Sequence, residues 1–223
     1  FAIGLGVSPD KAVTIPNGID TAIYQPRDKG EMRAKHGLHP DAPIILSAGY
    51  LIERKGHHRI IGVLPRLWQA GIEAQLCIAG GAGREGSYEA HLRRTVAETG
   101  FESTVHFLGS VPQTTLAELM SAADVFCLAS KREGWPNVVH EALGCGTPVV
   151  ATDVGAVPEM IPSGDYGIVV PASDTAALAE ALRKALRKQW QRSMIANWGR
   201  APSWHNVAQD VLKQFHWILR REN

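Results

Sequence analysis

Short apolar runs rich in branched residues recur along the chain, at residues 12–15, 43–47, 74–79, 104–108, 124–128, 148–151 and 166–170. Runs that are apolar throughout, rather than alternating, fit strands buried on both faces. Between most of them lie segments of helical period, at about 57–69, 87–99, 114–122, 137–143 and 174–187. This alternation predicts an α/β fold: a doubly wound, mainly parallel sheet with helices on both faces. The end of the chain differs. Residues 203–219 read as one helix, with Trp204, Val207, Val211, Phe215 and Ile218 spaced three or four apart to make an apolar stripe. Ala201-Pro202-Ser203 just before it supplies a stop and an N-cap. Such a stripe needs a partner surface, either in its own domain or in a second domain outside this chain.

Composition narrows the function classes. The 223 residues can bury a sizeable core, and the 45% hydrophobic content is globular. A formal charge of +1 gives no basic footprint for nucleic acid, so no nucleic-acid partner is expected. No apolar run approaches the roughly 20 residues that span a bilayer. Cys77, Cys127 and Cys145 are scattered in apolar runs or small-residue turns, which fits buried reduced thiols and a cytoplasmic setting. The start, Phe1-Ala2-Ile3-Gly4, resembles neither a natural N-terminus nor a signal peptide, and a fragment lacking its N-terminal part is expected.

In an open parallel sheet, ligands bind beyond the carboxyl ends of the strands. The segments there are AGYLIERKGHH, GGAGREGS, GSVPQ, ASKREGWPN and TDVGAVPE, so glycine and charge gather at one edge. In the first, Arg54 and Lys55 precede Gly56 and a helix start; two cations beside free helix N–H groups suit a phosphate, the alternative being a solvated basic turn. In the second, Gly81, Gly83 and Gly86 match G-x-G-x-x-G after a strand. A dinucleotide site also wants an acid at the end of the next strand, and that strand ends His106-Phe107-Leu108-Gly109.

The segment REGWPNVVHEALGCG places Glu133 in a loop and Glu141 on the helix that follows, with Pro136 suited to the first helical position. Two helical residues so spaced would lie ~12 Å apart along the axis. A turn at Gly134 lets both face one ligand, with helix N–H groups between them. A carboxylate accepts hydrogen bonds from a vicinal diol. The arrangement suits a ligand with phosphates at its middle and sugars at either end.

EGWPNVVHEALGCGTPVVATDVGAVPE resembles the E-x7-E region of the family 4 (group 1) retaining glycosyltransferases, nucleotide-sugar enzymes with two Rossmann-like domains (GT-B). TIPNGIDTAIYQP resembles the family's linker, SAGYLIERKGHHRII its phosphate-binding loop, VHFLGSVPQTTLAELMSAADVFCLAS the stretch that holds the base, and SWHNVAQDVLKQF its last helix. The resemblance covers nearly the whole chain. It implies a single C-terminal donor-binding domain over 1–223, with a linker-like lead-in at 1–20 and a terminal helix at 203–220 that packs toward a missing N-terminal domain.

The resemblance also implies roles. Lys55 lies on the donor's diphosphate, Glu133 near the transferred sugar, Glu141 on the ribose hydroxyls and Val111 beside the base. Backbone groups around Gly134, Trp135, Pro136, Asn137 and Val138 meet sugar and phosphate, and Gly81 and Gly83 sit near the phosphates; Pro136 has no N–H to give. Where the family often has Gly-Arg-Leu, this chain has Gly49-Tyr50-Leu51, and Arg54 is the candidate for the missing charge. The implied reaction is sugar transfer from a UDP- or GDP-sugar with retention, without a metal or other cofactor, to a carbohydrate or lipid-linked acceptor held by the missing domain. The full-length protein would be cytoplasmic, with room for a peripheral place at the inner face of the membrane. The fragment alone is expected to be inactive, and its terminal stripe could support a homodimer.

Rival readings are a nucleotide-binding module without transferase activity, a dinucleotide-dependent oxidoreductase, and a glycosidase built on the two glutamates. Among residues without a role, His106 reads as a core or strand-edge histidine and His57 and His58 as solvated or capping. Cys145 reads as a small packing residue, Asp153 as a support for the loop at Gly155, and Glu159 as a surface charge.

Overall fold

The computed structural model describes residues 4, 6–83 and 86–221. Its strands are β1 (Ile44–Ala48), β2 (Gln75–Ala79), β3 (Val105–Gly109), β4 (Val125–Leu128), β5 (Val149–Thr152) and β6 (Gly167–Val170). The helices are α1 (Lys29–Lys35), α2 (His57–Gln69), α3 (Glu89–Thr99), α4 (Gln113–Ala122), α5 (Asn137–Gly144), α6 (Val157–Met160), α7 (Thr175–Arg187), α8 (Arg192–Arg200) and α9 (Trp204–Arg221). The strands form one sheet in the order β3-β2-β1-β4-β5-β6, and every pairing is parallel. This is the doubly wound, Rossmann-like α/β fold.

The side-chain period of two divides the core between the faces. Ile44, Leu46 and Ala48 of β1 join Phe126, Leu128 and Val149 in one buried cluster, which includes Met120, Val139, Leu143 and Ile195 from α4, α5 and α8. Ile45 joins Leu76, Ile78, Val125 and Val150 in the other, under Ile60, Leu64, Leu92 and Leu182 from α2, α3 and α7. Both faces are thus covered, which is why the strands read as unbroken apolar runs.

Three expectations change. Residues 12–15 form no strand: Val13 is exposed, and the lead-in instead makes a single bridge at Ile19, whose N–H donates to Pro202 O at 2.9 Å. A strand needs a ladder partner, and this segment runs beside the start of α9 rather than along β3 or β6, the sheet edges. Helices α1 and α8 have no counterpart in the pattern. Helix α1 has seven residues and no apolar stripe; an Asp28 cap accepting from Glu31 N at 2.8 Å and a buried Arg33, 2.7 Å from Asp124, hold it. Helix α8 packs on α5 through Gly199, where a side chain would meet the Leu143–Gly144 backbone. Pro136 occupies the N-cap of α5, one position before the first helical residue. Ser203 caps α9 as expected, its Oγ accepting from Asn206 N at 3.2 Å.

Candidate functional site

The chain winds outward from β1 in one direction through β2 and β3 and in the other through β4, β5 and β6. The carboxyl ends of β1 and β4 are therefore the switch point, where loops diverge and leave a crevice. The loops at 49–56 and 129–136 emerge there side by side. Gly56 makes their close approach possible: its φ is 73°, and a Cβ would lie 1.9 Å from Ala129 O. Lys131 N donates to Arg54 O at 2.8 Å and closes the contact.

This pinning brings Lys55 Nζ to 2.7 Å from Glu133 Oε1. Ser130 Oγ donates to the same oxygen at 2.7 Å, and Arg54 Nη1 lies 3.7 Å from Oε2. Ser130 is itself fully buried, and its carbonyl accepts from Thr152 Oγ1 at 2.7 Å. A chain of bonds thus runs from β5 through Ser130 to Glu133 and Lys55. Sequence reading missed Ser130 and Thr152, because neither carries charge or distinctive spacing. The far side of the loop is held by Gly155, whose φ of 55° sets its Cα against Glu133 O and Gly134 O, and by Ala156 N donating to Gly134 O at 2.9 Å.

Three depressions surround this centre. One, of about 330 Å³, is lined by Gly49, Tyr50, Lys55, Gly81, Val111 and Val138 among others. It joins residues expected at phosphate, base and helix start, and Tyr50 presents an exposed ring where a cation was sought. A second, of about 410 Å³, is lined by Glu53, Arg54, Lys131 and Arg132. The two cations expected to act together therefore separate: Lys55 lines the first depression and Arg54 the second. A third, of about 390 Å³, lies between the lead-in and α9 and takes in Trp135 and His140. Asn137 turns toward the lead-in as well, its Oδ1 accepting from Asn17 Nδ2 at 3.0 Å. Gly83 lies outside the first depression and pairs with Gly86 through two backbone bonds. Residues 84 and 85 of that loop lie outside the described residues.

Glu141 faces inward, toward the hydroxyl of Tyr24, itself buried just after the lead-in. Burial pushes the carboxyl up to about 7, and the Tyr24 hydroxyl pulls the other way. His57, expected to be solvated or capping, is instead buried and makes no capping bond. It is 1% exposed, Ser47 Oγ lies 3.1 Å from its Nδ1, and burial lowers its pKa to about 4, against the opposing pull of the Tyr50 and Gly49 backbone. It supports the loop at 49–56 from below as a neutral ring. His106 lies on the edge strand β3, as expected.

The three cysteines are free and buried, and burial pushes Cys77 up to about 11 and Cys145 up to about 12. They are thiols, not thiolates, at neutral pH, so Cys145 is no nucleophile. Among the described residues no group of three or more His, Cys, Asp or Glu could hold a metal ion, and no helix is long and apolar enough to cross a membrane. The glycine loop does not open directly into a helix, since α3 begins only at Glu89. That departs from a dinucleotide fingerprint.

The chain is 32% identical over 197 residues to a GDP-mannose-dependent monoacylated alpha-(1-6)-phosphatidylinositol monomannoside mannosyltransferase of Corynebacterium glutamicum, covering 84% of this chain and 50% of that protein. The chain thus spans about half the length of the curated relatives it matches. Sucrose-phosphate synthase from Thermosynechococcus elongatus superposes with a TM-score of 0.76 at 28% identity, over 93% of this chain and 52% of that one. Anabaena HepE in complex with UDP has a TM-score of 0.83 at 24% identity, over 96% of this chain and 60% of that one, which speaks to the fold. Residues 28–201 match the family described as glycosyl transferases group 1, and the chain belongs to that family.

Proposed function

We propose that this chain is the donor-binding half of a retaining glycosyltransferase that takes its sugar from a nucleoside diphosphate. The observation that carries the reading is the Lys55–Glu133 pair, 2.7 Å apart at the switch point. Lys55 also lines the depression that holds Gly81, Val111 and Val138. A GDP-mannose-dependent relative and a UDP-bound structural neighbour support this class of donor.

In this reading the base lies against Val111 and Leu116. The diphosphate lies between Lys55 and the first turn of α5, whose free N–H groups and dipole favour an anion. Glu133 faces the sugar, and Glu141 takes the ribose hydroxyls by exchanging its bond to Tyr24 for them. Chemistry is then electrostatic. As the anomeric carbon–oxygen bond to the diphosphate breaks, Lys55 and the helix amides stabilise the departing charge. The acceptor oxygen bonds the anomeric carbon on the same face and gives its proton to the departing phosphate, which retains configuration. The reading calls on no metal, and in it Glu133 stabilises the cationic sugar rather than serving as a hydrolase acid.

Leu212, Phe215 and Ile218 of α9 are exposed. In the full-length protein they pack against the N-terminal half, which carries the acceptor, so the fragment binds donor without turning it over. A second copy of the chain is the alternative cover for this stripe. Free buried thiols suit the cytoplasm. Calorimetric titration of the chain with UDP, GDP, ADP and NAD tests the proposal. Micromolar binding of one diphosphate with no response to NAD supports it, and an NAD response without a diphosphate response overturns it.

A further inference from the structure

The second depression is more basic than the donor reading needs. Arg54, Lys131 and Arg132 line it against a single acid, Glu53. Two bonds hold the segments that carry them together: Lys131 N donates to Arg54 O at 2.8 Å, and Arg54 Nη1 donates to Arg132 O at 3.2 Å, while the Lys131 and Arg132 side chains are exposed. Like charges held together raise the electrostatic energy unless an anion joins them. Arg54 is partly offset by Glu133 at 3.7 Å, whereas Lys131 and Arg132 make no ion pair among the described residues.

The donor does not account for this cluster. Its diphosphate is served by Lys55, which lines the other depression, and none of the three further cations lines that one. Glu133 stands between the two, bonded to Lys55 and 3.7 Å from Arg54. A group bound at Arg54 is therefore next to the sugar that Glu133 faces, where an acceptor must come. Two guanidinium forks and an ammonium suit a phosphate ester, which accepts bidentate bonds and carries about −1.5 to −2 charges at neutral pH. We infer that Arg54, Lys131 and Arg132 form this half's share of the acceptor site, a subsite beside Glu133 that holds a phosphate ester on an acceptor otherwise carried by the N-terminal half. The inference rests on the donor reading above. The phosphate can belong to a soluble phosphorylated polyol or to a phospholipid headgroup, and the chemistry of the subsite is the same.

The test uses the chain saturated with whichever of UDP, GDP and ADP it binds. sn-Glycerol 3-phosphate is the soluble probe, titrated calorimetrically. Vesicles of phosphatidic acid, set against phosphatidylcholine alone, are the lipid probe in a sedimentation assay. Binding of either probe, weakened at least tenfold by Lys131→Ala/Arg132→Ala, supports the subsite, and the probe that binds names the source. Arg94→Ala/Lys184→Ala removes the same charge from α3 and α7 and should leave binding unchanged. Three outcomes overturn the inference: neither probe binds, the control variant loses binding equally, or the nucleotide displaces the probe. Nucleotide affinity within about twofold of the parent in Lys131→Ala/Arg132→Ala keeps the two readings apart. If the nucleotide binds and the probes do not, this inference alone fails; if none of UDP, GDP and ADP binds, the donor reading fails.

Discussion

Lys55 and Glu133 are 78 positions apart in sequence, yet their charged atoms meet at 2.7 Å. Lys55 lines the first depression, so in the donor reading proposed above a diphosphate competes with Glu133 for it. Lys55→Met should therefore weaken UDP or GDP binding by about ten- to a hundredfold, the worth of a charge-assisted hydrogen bond. Glu133→Gln keeps the Ser130 hydrogen bond and releases Lys55. Diphosphate affinity should then hold or rise, while sugar transfer by the full-length protein falls. Calorimetry and a transfer assay on both variants check this, and a Glu133→Gln protein that loses diphosphate affinity would count against the competition.

Gly56 sets the approach of the two loops. Its φ of 73° and the 1.9 Å separation from its would-be Cβ to Ala129 O leave no room for a side chain. Gly56→Ala should cost about 3 kcal/mol or more, through strain and backbone displacement together. Urea denaturation measures it. A loss under about 1 kcal/mol would show that the β1 and β4 loops part easily, and the Lys55–Glu133 distance would then not be fixed by the fold.

Much of this site was legible in the sequence, for physical reasons. Strands buried on both faces leave unbroken apolar runs, so the sheet could be read, and with it the edge where charge and glycine collect. Lys55, Gly81, Val111 and Val138 could be placed together because they follow consecutive strand ends. Other features depend on which way a side chain turns, and periodicity is silent on that. Arg54 and Lys55 are neighbours in the chain and line different depressions. His57 starts a helix at its polar end and is nonetheless buried, because Gly56 drives that end against β4. Ser130 and Thr152 act only through contacts that the folded loops create.

Glu141 makes stability depend on pH. Burial lifts its carboxyl from 4.5 to about 7, so between these values the folded chain keeps a proton that the unfolded chain has released. Stability must then fall as pH rises through this window. The full shift corresponds to about 3 kcal/mol at most. Glu141→Gln should erase this slope and leave the variant more stable than the parent at pH 8. Thermal melts at pH 5 and pH 8 compare the two chains; parallel melting curves at both values would show that Glu141 is ionised within the fold without penalty.

His140 acts in the opposite direction. Its ring is 5% exposed, Nδ1 has no hydrogen-bond partner, and burial lowers its pKa to about 4. Below pH 6.5 the unfolded chain takes up a proton that the folded chain refuses until about pH 4. The stability of the neutral ring is thus complete above pH 6.5 and lost as pH falls through 4. His57 adds to the same acid limb, since burial lowers it to about 4 as well. His140→Leu removes both the titration and a buried polar atom without a partner, worth about 1–3 kcal/mol. The variant should melt higher at pH 7, by about 2–4 °C for each kcal/mol in a chain of this size. It should also lose less stability between pH 6.5 and pH 4, the remaining loss belonging to His57. Unchanged melting at pH 7 with an unchanged acid limb would mean that Nδ1 has found a partner, and that the third depression is wet at its floor.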